Sequence, residues 1–423
     1  MNIKKQLVEI SEKRHFAARF GASGLRGFGA ITVTLLALVA VSFAQADNAT
    51  KVYRQDDSWI EETTGSMPAS RIIKVHTSVG SVSVTGAQQP NITYTIRKKV
   101  HEYSEQSARR AFDNLRIVAS RQGDAAYFGG EGSDHWNRGT IEFIITTPRN
   151  VDLVKAETNG GSLQFAHLTG RVDAKTGGGG ATFDDITGSV NGQTGGGSVT
   201  VGNVAADVGV RTGGGSVEVN SVGGKLNVST GGGSVHVQNG KSSAKIETGG
   251  GSIHVENIAG DLVASTGGGG IEVGTVGGLM DVETGGGSIR LTGANGPIRA
   301  QTGSGSIHCM KVTKSVRAET GAGGITAEFM AMNGQFSDST LDTGVGDIIV
   351  YLPSDLKVSI HASIDVATSK DAISSDLPGI RISSEGGDYG PREVSAEGDL
   401  NGGGPTLKLH TSTGKIQFIA LKR

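Results

Sequence analysis

The chain has 423 residues, 68 of them glycine and only 5% aromatic, and a formal net charge of −2. Glycine at more than twice ordinary usage but without a strict Gly-X-Y period excludes collagen, and the scarcity of a 3.6-residue apolar period excludes a helix bundle or coiled coil. A single cysteine, Cys309, excludes an internal disulfide framework and a Cys-cluster metal site, and the absence of a basic excess argues against nucleic acid as a partner.

The amino terminus reads as an export address. Lys4, Lys5, Lys13, Arg14, Arg19 and Arg26 precede an apolar stretch from Phe28 to about Ala44, and Ala44-Gln45-Ala46 supplies a small-x-small exit. Basic, apolar and small-residue regions in that order predict a secretory signal peptide over residues 1–46, cleaved near Ala46, with retention as a membrane anchor the alternative. Either outcome places the remainder outside the cytoplasm, in the periplasm, at the cell surface or secreted. Without residues 1–46 the charge falls to −6, from 33 basic and 39 acidic side chains.

Residues 47–150 predict a β-rich amino-terminal cap, with alternating stretches around Ile72–Val75, Val82–Val84, Ile92–Ile96 and Ile141–Ile145. One helix is expected over about 104–116. Ala108, Ala111, Phe112 and Leu115 recur at helical spacing, and Ser104 or Ser107 is placed to cap them. Such a helix suits an open end of the next region.

Residues 151–342 decide the fold. A Thr-Gly-Gly-Gly tetrad or close variant begins at Thr158, Thr176, Thr194, Thr212, Thr230, Thr248, Thr266, Thr284, Thr302 and Thr320, always 18 residues apart. Within the unit from Thr212, Val217, Val219, Leu226 and Val228 alternate with Glu218 and Asn227, so the apolar side chains share one face. Glycines are expected to supply positive φ at the corners. The pattern predicts an all-β chain, a parallel β-solenoid of 18-residue coils with two short strands per coil, stabilised collectively and needing caps. No Phe, Tyr or Trp lies between Val190 and Glu328, which implies a core too thin for a ring. Residues 343–423 continue in strand-like runs (DIIVYLP, LKVSIHAS, TLKLHTSTGKIQFIAL) and predict a carboxy-terminal β cap.

The early SVGSVSVTG, the helix SEQSARRAFDNLRI, the TPRNVDLVKAETNGGSL lead into the coils and the GDIIVYLP…GGGPTLKLHTSTGKIQF ending resemble the bacterial adhesin-like family of Gly-rich-repeat β-solenoid domains, over residues 70–423. The resemblance implies surface adhesion and carries no catalytic residues with it.

The chemistry-bearing residues point the same way. Strands rather than a helix follow each glycine corner, against a phosphate loop, and the corners lack the Asp of calcium-binding solenoids. Cys309 falls on the inward face and reads as a small core residue. One outward column runs Gln164, Thr182, Thr200, Glu218, His236, His254, Glu272, Arg290, His308, Thr326. Within it Glu218, His236, His254 and Glu272 occupy successive coils and form the one candidate metal ladder, for weak zinc binding. No cofactor is implied. The expected function is non-catalytic: an exported adhesin-like or scaffold protein presenting repeat faces to an envelope surface, glycan or protein partner, with self-association possible through the solenoid ends. The alternative is a polysaccharide-active β-helix lyase or hydrolase. The array holds no paired carboxylates in adjacent outward columns, which speaks against that alternative.

Overall fold

The structure, a computed structural model, describes residues 49–132, 139–330, 336–386 and 392–421; the expected signal segment lies outside them. Among the described residues the chain forms two sheets of 18 strands each, parallel throughout the array. Each coil contributes one strand to each sheet. Val217–Val222 lies in the first sheet and Leu226–Thr230 in the second. Both pair with the strands 18 residues on, Val217 opposite Val235 and Leu226 opposite Ala244.

Two-residue alternation places the apolar columns between the sheets. Val217, Val219, Val222, Leu226 and Val228 are at most 3% exposed, while Glu218 and Asn227 face solvent. At Phe183 the thin core admits a ring because the facing sheet gives way. Phe183 is fully buried, and a Cβ on Gly192 would lie 2.9 Å from its Cζ. Cys309 is buried as expected, and desolvation pushes its thiol up to about 12, so it is inert in the native state.

The corner threonines are structural. All those from Thr158 to Thr320 are at most 7% exposed, as are Thr343 and Thr411. Each Oγ1 donates to a glycine carbonyl of the preceding coil at 2.7–3.0 Å. Most also accept from the backbone N–H three residues on, as Thr248 does from Gly251 at 3.2 Å. One hydroxyl thus stitches two coils. Thr248→Val, which keeps the shape, leaves the Gly233 carbonyl and the Gly251 amide without it; the corner is half-exposed, so water recovers part of the loss. A destabilisation of about 1–2 kcal/mol is expected in urea unfolding, with a smaller change for Thr248→Ser. Equal effects from the two variants would refute the hydroxyl's role.

The glycines serve a different purpose from the one expected. No array glycine from Gly160 to Gly305 has positive φ. Their requirement is proximity: a Cβ on Gly213 would lie 2.2 Å from the Gly195 oxygen, and one on Gly215 would lie 2.0 Å from the Gly197 oxygen. Corners stack so closely that a side chain would enter the backbone of the coil before. The middle glycine escapes, since nothing lies within 4 Å of a Cβ on Gly214. Ser304 and Ala322 occupy that middle place in later coils.

Rungs of the same kind extend beyond residues 151–342. Ile72–Thr77 and Val82–Ala87 stack in parallel on Leu153–Thr158 and Leu163–Leu168. At the far end, Ser339–Val345 and Ile348–Pro353 are followed by Thr406–Thr413 and Ile416–Leu421. The chain before the first rung and between these rungs supplies the caps, and one hydrophobic cluster runs from Met67 to Phe418.

The helix spans Glu105–Asp113, with Ser104 as its N-cap accepting from the Ser107 amide at 3.2 Å. It is shorter than expected because Leu115 opens the strand Leu115–Gln122 instead of closing the helix. Ala108 and Phe112 are fully buried with Val100 in a small cluster of their own at the amino-terminal end.

Candidate functional site

Strict 18-residue register turns each outward position into a column on a flat face. On the first sheet Glu218, His236, His254 and Glu272 stand opposite one another in turn, as expected. The two imidazoles stack, with ring centres 4.9 Å apart and planes 8° from parallel. Stacking directs their nitrogens side by side rather than toward a shared point, and each finds a separate carboxylate. His254 Nδ1 lies 3.3 Å from Glu272 Oε2, and His236 Nε2 lies 3.6 Å from Glu256 Oε1. Glu256 stands two residues beyond His254 in the neighbouring column, so the +6 column alone gave no sign of it. Among the described residues no group of three or more His, Cys, Asp or Glu side chains is placed to hold a metal ion. A shallow depression of about 370 Å³ borders this stripe, lined by Ser198, Ser216, Ser234 and Ser252 beside Glu218 and His236.

The second sheet carries another groove, of about 510 Å³, near its carboxy-terminal end, lined by Glu283, Gln301, Glu319 and Asp342 with the corner glycines. Gln301 Nε2 donates to Glu319 at 2.7 Å, and Arg317 Nε donates to the same carboxylate at 2.5 Å. These contacts tie the groove wall to itself. Beyond Asp342 lies His410, on the strand Thr406–Thr413, between two carboxylates. Its Nδ1 is 3.0 Å from Asp342 and its Nε2 is 3.1 Å from Asp365. Only the imidazolium can donate from both nitrogens.

Hydrogen bonding to Asp342 raises the His410 pKa, burial opposes the rise and Asp365 adds to it. The other titratable groups on these three strands are His361, on the strand that carries Asp365, and Lys408 on the histidine's own strand. A raised folded-state value means the clasp stabilises fully below the ordinary imidazole value of about 6.5 and is lost as pH climbs through the higher, folded value. The Tm advantage of the wild type over His410→Ala is therefore expected to be largest near pH 5.5–6 and to shrink above neutrality. A constant difference across that range would exclude the charged clasp.

The sequence matches none of the functionally curated proteins. Solved structures with a similar chain include a candidate cell adhesion protein from Clostridium sporogenes, at 9% identity, 89% of this chain and 99% of that one, with a TM-score of 0.16. A candidate adhesin from Bacteroides fragilis aligns at 14% identity over 68% of this chain and 96% of that one, TM-score 0.23. Another, from Parabacteroides distasonis, aligns at 12% identity over 68% and 93%, TM-score 0.24. The family match is more direct, spanning residues 71–322, which take in the first rung, the helix and most of the array. The chain belongs to the Toastrack DUF4097 family.

Proposed function

We propose that the protein is a non-catalytic, adhesin-like scaffold of the bacterial cell envelope, exported through its basic and apolar amino-terminal segment, whose flat repeat faces bind a surface glycan or protein. The observation that carries this reading is the registered polar column on the first sheet. Ten coils hold Gln164 through Thr326 in line with the backbone locked beneath them, so a ligand meets a preorganised surface. The stripe varies from hydroxyl to carboxylate to imidazole to guanidinium along its length, as recognition requires and stacking alone does not.

The test combines fractionation and surface proteolysis of expressing cells with binding of the purified chain to a glycan array and to envelope extracts. Binding is expected to fall in the double variant His236→Ala, His254→Ala while its melting temperature is kept. Release of reducing sugar from envelope polysaccharide, without stable binding, would replace this reading with an enzymatic one.

A further inference from the structure

The two ends of the solenoid are finished differently. At the carboxy-terminal end the outermost strands are short, Ile373–Ser375 in the first sheet and Arg381–Glu385 in the second. At the amino-terminal end they are long, Ala49–Gln55 and Leu115–Gln122. Among the described residues each of these pairs along one side only, with Ser58–Pro68 and Ala125–Gly132 respectively. Ala49–Gln55 holds no proline, glycine or bulge; its only blunting devices are the exposed charges of Lys51 and Arg54, which a partner strand must accommodate. Tyr53 at 36%, Val118 at 53% and Tyr103, fully exposed beside the helix, add exposed apolar surface here, as Val366 and Ile382 do at the other end.

We propose that Ala49–Gln55 pairs antiparallel with the same strand of a second copy, centred on Val52, joining two solenoids end to end through their first sheets. Sequence and register single out this occupant. With Val52 opposite Val52, all seven residues pair, Lys51 meets Tyr53, Thr50 meets Arg54 and Ala49 meets Gln55, so no like charges face each other. A slip of one residue one way sets Lys51 against Arg54, and the other way sets Lys51 against Val52 and shortens the pairing to six residues. Either slip also inverts one copy, because side chains alternate between faces. The centred register instead keeps the half-buried face of Val52, which packs beside the helix cluster, continuous with the core face of the other copy. The two-fold axis then stands normal to the sheet and closes the assembly at a dimer, leaving the blunted ends outward.

Cysteine cross-linking of the full chain reads this register directly, since native Cys309 is buried. Directly opposed antiparallel residues have Cα atoms about 4.5–5.5 Å apart, within disulfide reach. Under mild oxidation Val52→Cys is expected to form a covalent dimer. Thr50→Cys alone is expected to stay uncross-linked, whereas a mixture of Thr50→Cys with Arg54→Cys gives the dimer. The unmodified chain is expected to show a concentration-dependent monomer–dimer equilibrium in sedimentation. A strictly monomeric chain with no Val52→Cys product overturns the proposal, and so does cross-linking through Thr50→Cys alone or through other pairs at the expense of Val52.

Discussion

Gly233→Ala is expected to lower the thermal stability of the array by several degrees, while Gly232→Ala, one residue away, leaves it nearly unchanged. The backbone φ of neither residue is positive, so conformational freedom does not separate them. Space does. A Cβ at position 233 would lie 2.0 Å from the Gly215 oxygen and 2.4 Å from its carbon, while a Cβ at 232 meets nothing within 4 Å. The obstacle is backbone, held by the Thr230 hydroxyl at 2.8 Å, and it cannot step aside as a flexible side chain would. Overpacking costs about 1–3 kcal/mol where side chains can adjust, and here the upper end or more is expected. The strain also spreads, because the oxygen of residue 233 itself accepts from Thr248 Oγ1 of the next coil at 2.8 Å and cannot shift alone. Labelling of Cys309, four coils away, measures that spread: if the array melts as one unit, its thiol becomes reactive at the lowered temperature in Gly233→Ala. Equal losses in the two variants would show that glycine is needed for backbone conformation, and the stacking explanation would fall.

The contrast shows what a repeating sequence makes legible. Alternation and an 18-residue period place Val217, Val219, Leu226 and Val228 in the core because both periods describe geometry directly. The reason for a conserved-looking corner within the repeat is less visible. Thr230 reads as a polar corner residue, yet it is 4% exposed, because its hydroxyl is satisfied by the coil below. The available hint was its identity: threonine recurs at all ten places without giving way to serine or asparagine. The middle glycine was legible in the same manner, since Ser304 and Ala322 take its place in later coils. Contacts spanning the inserted cap segments left no such trace. Asp342 and Asp365 lie 68 and 45 residues from His410 and are joined to it only by strand order. The first and last rungs were hidden similarly, because the insertions between Thr77 and Thr158 and between Thr343 and Thr411 break the interval while keeping the Thr-x-x-Gly motif.

Strand order also brings together the pair that holds the amino-terminal helix, and its removal has the second large expected effect. Lys98 Nζ lies 2.6 Å from Glu61 Oε1 and donates to the Phe112 carbonyl, in the last turn of Glu105–Asp113, at 3.1 Å. The two side chains are only 11% and 18% exposed, so water cannot replace either partner well. The ammonium therefore neutralises a largely buried carboxylate and caps the negative end of a helix at once. Lys98→Met keeps most of the aliphatic stem but strands the carboxylate and leaves the Phe112 carbonyl only the Asn114 amide, at a cost of about 2–4 kcal/mol, below the value for a fully buried pair because some exposure remains. The damage is expected to stay local. The helix rests on its own cluster of Val100, Ala108 and Phe112, separate from the cluster that runs through the array. Amide exchange should accelerate across Glu105–Asp113 while protection in Val217–Val222 is retained. Adding Glu61→Gln removes the stranded charge and should recover part of the protection, although the Phe112 carbonyl still lacks the ammonium. If the double variant is no better than Lys98→Met, the helix is held by packing alone. Equal loss of protection in cap and array would instead mean that the end and the middle of the solenoid unfold as a single cooperative unit.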